Sequence, residues 1–269
     1  MAGASRGRVR VSVVRAAGCE ARGRPLIPPT LGVGGPIPFQ AVTDTGGSAG
    51  LRDRYTTPDL ATSALITIDT QRDVLDGGPL EIAGTSAALG AMRALTGAFR
   101  RAERQIVHIV RLYEPDGSNV DLCRRAAVED GAEILAPGAA GSEIAAELLP
   151  DSQPALDGGL LLSGGIQALG PREVAIYKPR WGAFYATPLQ SHLLEHEITT
   201  LVFCGCNFPN CPRTSIYEAS ERDFRVILVR DAISGLYEQG ERELAGIGVH
   251  LLDSHDVTGA LVRGLSLRT

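Results

Sequence analysis

"TTLVFCGCNFPNCPRTSIYEASERDFRVILVRD" occupies residues 199–231, and its reading decides the fold. "TTLVFCG" (199–205) is a short, nearly continuous apolar run, the mark of a strand buried on both faces. Residues 212–222 read as a helix that opens with Pro212, a residue suited to a first helical turn. "FRVILVRD" (224–231) is a second buried strand. Strand, helix and strand in succession make a unit whose two strands lie parallel, with the helix crossing over one face of the sheet.

The same alternation extends outward from this unit. Upstream, "ALITID" (64–69), "QIVHIV" (105–110) and "REVAIYK" (172–178) read as strands. Helical spacing runs through 84–104, where Leu89, Met92, Leu95 and Phe99 recur at three and four residues, and through 188–198. Downstream, 238–247 is a helix and "GVHLL" (248–252) a strand. Residues 111–170 are mixed, with loops and a short helix around Ser142–Leu148. The expected fold is α/β: a Rossmann-like three-layer sandwich with a mostly parallel sheet and helices on both faces. The domain is expected over residues 60–256, followed by a tail at 257–269. Residues 1–59 hold Arg6, Arg8, Arg10, Arg15, Arg22 and Arg24 with few acids and much Gly, Pro and Thr. They read as a disordered or weakly ordered extension.

Composition narrows the function classes. The net charge of −5 gives no electrostatic case for nucleic acid or an anionic membrane. No apolar run approaches the ~20 residues that span a bilayer. Five cysteines in 269 residues do not make a secreted disulfide scaffold, and a reducing, cytoplasmic setting is expected.

Ligands of parallel α/β sheets lie beyond the carboxyl ends of the strands. Asp69, Lys178 and Cys211 each fall at or just past such an end, so the sheet is expected to gather them at one rim. The chemistry of the trio is coherent. Cys211 precedes a helix, whose unpaired N–H groups favour an anion, and Lys178 adds positive charge. Together they are expected to hold the sulfur as a thiolate. Asp69 can take a proton and return it to a leaving amine. Arg111 and Tyr113 follow the second strand, where they can meet a substrate carboxylate or, for Arg111, form a surface ion pair. Trp181, Phe184 and Phe208 are candidates for an apolar pocket wall, with core packing as the alternative. Cys204 and Cys206 alternate at a strand end and read as core thiols rather than metal ligands. "HLLEH" (192–196) fits a zinc-peptidase spacing, yet no acidic ligand helix follows it, and it reads as a solvated helix face. His108, inside an apolar strand, reads as a hydrogen-bonded core histidine.

"ALITIDTQRD" (64–73), "YKPRWGAF" (177–184) and "CGCNFPNCPRTSIYEASERDFRVILVRDA" (204–232) resemble the isochorismatase-like cysteine hydrolases. This family includes nicotinamidases, ureidoacrylate amidohydrolases, N-carbamoylsarcosine amidohydrolases and isochorismatases. The resemblance places the family's Asp–Lys–Cys triad on Asp69, Lys178 and Cys211. It implies a non-proline cis peptide between Cys206 and Asn207, and an oxyanion hole formed by the Asn207 and Cys211 N–H groups. It implies hydrolysis of an amide, ureide or carbamoyl C–N bond of a small molecule through a thioester, without a cofactor, in a homo-oligomer. Vinyl-ether hydrolysis and a non-catalytic binding domain are the alternatives. Two departures stand out. Phe208 replaces the threonine that commonly follows the cis peptide. Arg111 and Tyr113 stand where nicotinamidases place metal ligands, so no metal is expected.

Overall fold

A computed structural model describes residues 54–150 and 154–263. Its frame is one seven-stranded sheet: β1 (Ser63–Ile68), β2 (Gln105–Val110), β3 (Ile166–Gly170), β4 (Glu173–Tyr177), β5 (Thr200–Gly205), β6 (Arg225–Ile233) and β7 (His250–Leu252). The spatial order is β3-β4-β2-β1-β5-β6-β7. Every neighbouring pair is parallel except β3 with β4. The α/β architecture with a mostly parallel sheet is therefore as expected. β1 is central, flanked by β2 and β5, and the chain order reverses around it.

Among the described residues the α-helices are α1 (Thr85–Arg101), α2 (Leu122–Glu129), α3 (Gly158–Leu162), α4 (Leu189–Glu195), α5 (Cys211–Ser220), α6 (Glu238–Gly246) and α7 (Ser254–Arg263). Successive side chains of a strand point to opposite faces, so each strand feeds two cores. On one face Leu65 and Ile106 pack with Met92, Leu95 and Phe99 of α1 and with Val257 and Leu261 of α7. On the other, Ala64, Ile66 and Ile68 pack with Leu193 of α4, Ile216 of α5 and Leu244 of α6. These two cores give the three layers.

Four features depart from the sequence reading. The short helix expected at Ser142–Leu148 is two separate 3₁₀ turns, Ala140–Ser142 and Ala146–Leu148. Between them Ile144 bridges to Gln71, and the Ala145 N–H donates to the Thr70 carbonyl at 2.8 Å. Those contacts draw the backbone away from helical pairing. The boundary expected at 256/257 falls inside α7, whose Val257, Ala260 and Leu261 are buried. The apolar spacing is regular there, but Thr258 and Gly259 dilute it. β3 and α2 emerge from the stretch read as loops, because β3 is only half-buried at its edge. Of the extension expected over 1–59, residues up to 53 lie outside the described residues. The last of it is tied to the domain, since the Asp59 N–H donates to Thr200 Oγ1 at 3.0 Å.

Among the described residues, no helix is long and apolar enough to cross a membrane. One buried polar cluster clamps the sheet to α1. Arg100 grips Glu173 with both ends of its fork, at 2.7 and 2.6 Å. His108 Nε2 meets the same carboxylate at 2.8 Å, and its Nδ1 meets Thr67 Oγ1 at 2.8 Å. Both ring nitrogens are thus engaged structurally.

Candidate active site

The parallel ladder continues past the strand ends, and this continuation positions the site. The Asp69 N–H donates to the Ile109 carbonyl at 2.9 Å, Cys206 to Ile68 at 2.9 Å, and Lys178 to Val110 at 3.0 Å. Asp69 sits at φ +50°, a left-handed conformation that aspartate tolerates better than most residues. Gly205 sits at φ +124°, and a Cβ there would lie 2.2 Å from the Ile68 carbonyl oxygen. Only glycine lets β5 approach β1 this closely.

The three residues meet at this rim. Lys178 is fully buried, and its Nζ lies 2.9 Å from Asp69 Oδ2. The Arg180 carbonyl accepts from the same ammonium at 3.3 Å. No hydrogen bond of ordinary geometry reaches the other carboxylate oxygen, Oδ1, yet the carboxylate acts on the Cys211 thiol both as a charge and as an acceptor. Cys211 is the first residue of α5 and is 7 % exposed. A cavity of about 30 Å³ joins Asp69, Cys206, Asn207 and Cys211. Val74, Leu80, Ile82 and Leu135 close it with apolar surface, and Arg111 and Arg124 complete the lining. Such a volume holds little more than a water molecule.

Electrostatics correct one expectation. Burial raises the Cys211 pKa, the Asp69 charge raises it further, and Lys178 and Arg111 lower it by less; the result is about 11. The ammonium expected to stabilise a thiolate is already neutralised by Asp69 at 2.9 Å. At neutral pH the resting sulfur is therefore a thiol. A second correction concerns the backbone. Every peptide bond among the described residues is trans, including Cys206–Asn207, the form favoured by roughly 3–4 kcal/mol outside proline. Among the described residues no acceptor is recorded for the N–H of Asn207 or Cys211.

The aromatic residues expected on the pocket wall stand elsewhere. Phe208 is buried edge-on to Tyr237 at 5.4 Å, against Gly240. Phe184 stacks with Phe224 at 5.9 Å, and Trp181 packs on the same core. All three take the core role. Tyr113 is buried beside the cavity, and its hydroxyl donates to Asp121 Oδ2 at 3.0 Å. Burial pushes its phenol well above the ordinary range.

Arg111 is buried rather than on the surface. Its Nη2 pairs with Asp121 Oδ2 at 3.1 Å. Arg124 Nη1 donates to the Tyr113 hydroxyl at 3.1 Å and lies 3.6 Å from Asp121. Gln71 fixes the Arg111 backbone from both sides, accepting its N–H and donating to its carbonyl, each at 2.8 Å. Asp121, Arg124 and Gln71 escaped the sequence reading. The first two come from the loop-and-helix stretch that carries no strand-end signal. Gln71 was visible two residues beyond Asp69.

The remaining cysteines separate clearly. Cys204 is buried in the core, with its thiol pushed far up by burial. Cys206 donates to the Asp69 carbonyl at 3.1 Å, and Cys123 is exposed on α2. His192 and His196 stack at 4.4 Å on α4, away from the rim. The position after β2 is held by Arg111, whose guanidinium donates hydrogen bonds and cannot ligate a cation, and among the described residues no group of three His, Cys, Asp or Glu is placed to hold a metal ion.

The isochorismatase-domain family model matches residues 163–247. An isochorismatase family protein of known structure from Desulfovibrio vulgaris superposes with a TM-score of 0.63 at 27 % identity, covering 75 % of this chain and 99 % of that one. In sequence and in fold the chain is thus similar to the isochorismatase-like hydrolases. A probable inactive nicotinamidase of Arabidopsis thaliana is 25 % identical over 200 residues, 72 % of this chain and 93 % of its own. The ureidoacrylate amidohydrolase RutB of Methylobacterium radiotolerans is 24 % identical over 193 residues, 65 % of this chain and 67 % of its own.

Proposed function

We propose that this isochorismatase-like protein cleaves the C–N bond of a small amide, ureide or carbamoyl compound, with Cys211 as nucleophile. One observation carries the reading: Asp69, paired with the buried Lys178 at 2.9 Å, and Cys211 line a single cavity. Because the resting sulfur is protonated, Asp69 accepts its proton as the sulfur attacks, through the oxygen that Lys178 leaves free. Sγ bonds to the carbonyl carbon, and the oxyanion is received by the N–H groups of Asn207 and Cys211. Collapse breaks the C–N bond, and Asp69 returns the proton to the departing nitrogen. Water then attacks the thioester with Asp69 again as base, which releases the acid and restores the thiol. Lys178 orients the carboxylate throughout.

Vinyl-ether hydrolysis would use Asp69 as a proton donor and leave the Cys211 thiol, which lines the same cavity, without a role. The amidohydrolase relative supports amide chemistry. The Arabidopsis relative, described as probably inactive, motivates a non-catalytic reading. One experiment decides among the three. Ammonia release is measured over a panel of amides, ureides and carbamates, with Cys211→Ala as blank. Turnover confined to the native protein supports the proposal. Turnover shared with Cys211→Ala, or none on any compound, overturns it.

A further inference from the structure

The four apolar residues that close the cavity are not held alike. Val74, Leu80 and Ile82 belong to one turn laced by its own backbone. The Leu80 N–H donates to the Asp73 carbonyl and the Ile82 N–H to the Val74 carbonyl, both at 2.9 Å. The Ile82 carbonyl accepts in turn from Thr85, the first residue of α1, at 3.1 Å. Leu135 comes from elsewhere. With Tyr113, Val120, Val128 and Ile134 it forms a small apolar cluster apart from the two main cores. Satellite clusters of this kind bury little apolar surface and open more readily than a main core.

The backbone of Leu135 is also strained. It sits at φ +49°, a left-handed conformation that a bulky residue keeps only where its surroundings impose it. Two hydrogen bonds do so. The Leu135 carbonyl accepts from the Tyr113 N–H at 3.0 Å, and its N–H donates to the buried Asp73 carboxylate at 2.6 Å. A bond from N–H to a carboxylate is the stronger kind. Moving the 74–82 turn breaks its own ladder, whereas moving Leu135 returns a strained residue to an ordinary conformation. Opening therefore costs least at Leu135.

We propose that Leu135 is the gate of this cavity and limits the size of what reaches Cys211, with the Asp73 carboxylate as its latch. Resting on the hydrolase reading, the gate sets the bulk of the acyl group whose C–N bond is cleaved.

Two alkylating agents of one chemistry and different bulk, iodoacetamide and its N-phenyl form, test this without requiring turnover. Both rates are measured at Cys211 of the full chain by peptide mass spectrometry, with glutathione as reference. In the native protein the N-phenyl-to-iodoacetamide ratio is expected about tenfold or more below that of glutathione. Leu135→Ala should bring it within about threefold of glutathione, and Asp73→Asn should raise it several-fold. Amide exchange followed by NMR reads the motion in the native protein. The Leu135 N–H should exchange about tenfold or more faster than those of Leu80 and Ile82, although all three are hydrogen-bonded. A native ratio equal to that of glutathione overturns the proposal. So does exchange at Leu80 and Ile82 as fast as at Leu135, or an unchanged ratio in folded Leu135→Ala or Asp73→Asn protein. If a variant does not fold, the native ratio and the exchange rates decide. The turnover panel separates the gate from its foundation. Amides of graded acyl size cleaved with one size preference by the native protein and Leu135→Ala would keep the hydrolase and remove the gate. Bulk-selective labelling lifted by Leu135→Ala, with no turnover of any amide, would do the reverse.

Discussion

Asp69 has two opposed effects on Cys211. Its charge raises the thiol pKa, yet in the proposed reaction its second oxygen is the base. Asp69→Asn should therefore separate reactivity from catalysis. With the carboxylate gone, Lys178 acts on the sulfur unopposed, and alkylation of Cys211 near pH 7.5 should accelerate. Turnover should fall by about 10²–10⁴, the usual worth of a positioned acid–base group. Parallel measurement of labelling and hydrolysis on one preparation checks both, and slower labelling would contradict the electrostatic account. Lys178→Met should do the opposite to the thiol, raising its pKa. It should also cost roughly 3–5 kcal/mol of stability, since it strands a buried carboxylate. Chemical denaturation would read that loss.

At the scale of elements, the sequence carried the parallel strands well, because each is a continuous apolar run bounded by polar turns. β1, β2, β4, β5 and β6 all stand where "ALITID", "QIVHIV", "REVAIYK", "TTLVFCG" and "FRVILVRD" put them. The nearness of Asp69 and Lys178 at one rim followed, since strand ends in such a sheet converge by topology. The cavity wall did not follow, because Arg124, Leu80 and Leu135 reach it through tertiary contacts with no period of their own. The thiol's protonation state was equally hidden, because it depends on the 2.9 Å between Lys178 and Asp69 and on burial. Two elements invite tests. Gly205→Ala forces a Cβ into the β1 backbone at a positive φ. It should cost about 3 kcal/mol, or roughly 6–12 °C in Tm for a domain of this size, and activity should fall with it. Glu173 ties β4 to β2 and α1. Burial pushes its carboxyl up, but hydrogen bonds from Arg100 and His108 outweigh this and bring the pKa to about 2 from an ordinary 4.5. A depressed carboxylate pKa stabilises the fold above the unfolded value, and that stability is lost as pH falls through 4.5 toward 2. Glu173→Gln should destabilise by about 2–3 kcal/mol at pH 7, and the gap to the native protein should close by pH 2 in urea titrations.

For the whole molecule, the cavity's size sets a condition on function. A space of about 30 Å³ is small for an amide substrate. In the proposed reaction, the apolar side chains of Val74, Leu80, Ile82 and Leu135 are the ones a substrate would displace. Labelling of Cys211 should therefore depend on reagent bulk. Iodoacetamide should react measurably while a fluorescein maleimide lags far behind its rate at Cys123, and mild urea should narrow the difference. Equal access for both reagents would mean that the wall is already open. The protonated sulfur has a consequence for durability. Peroxide oxidises thiolates, and burial together with the Asp69 charge favours the protonated sulfur at Cys211. Peroxide should therefore oxidise Cys211 more slowly than the exposed Cys123, a difference that peptide mass spectrometry would read.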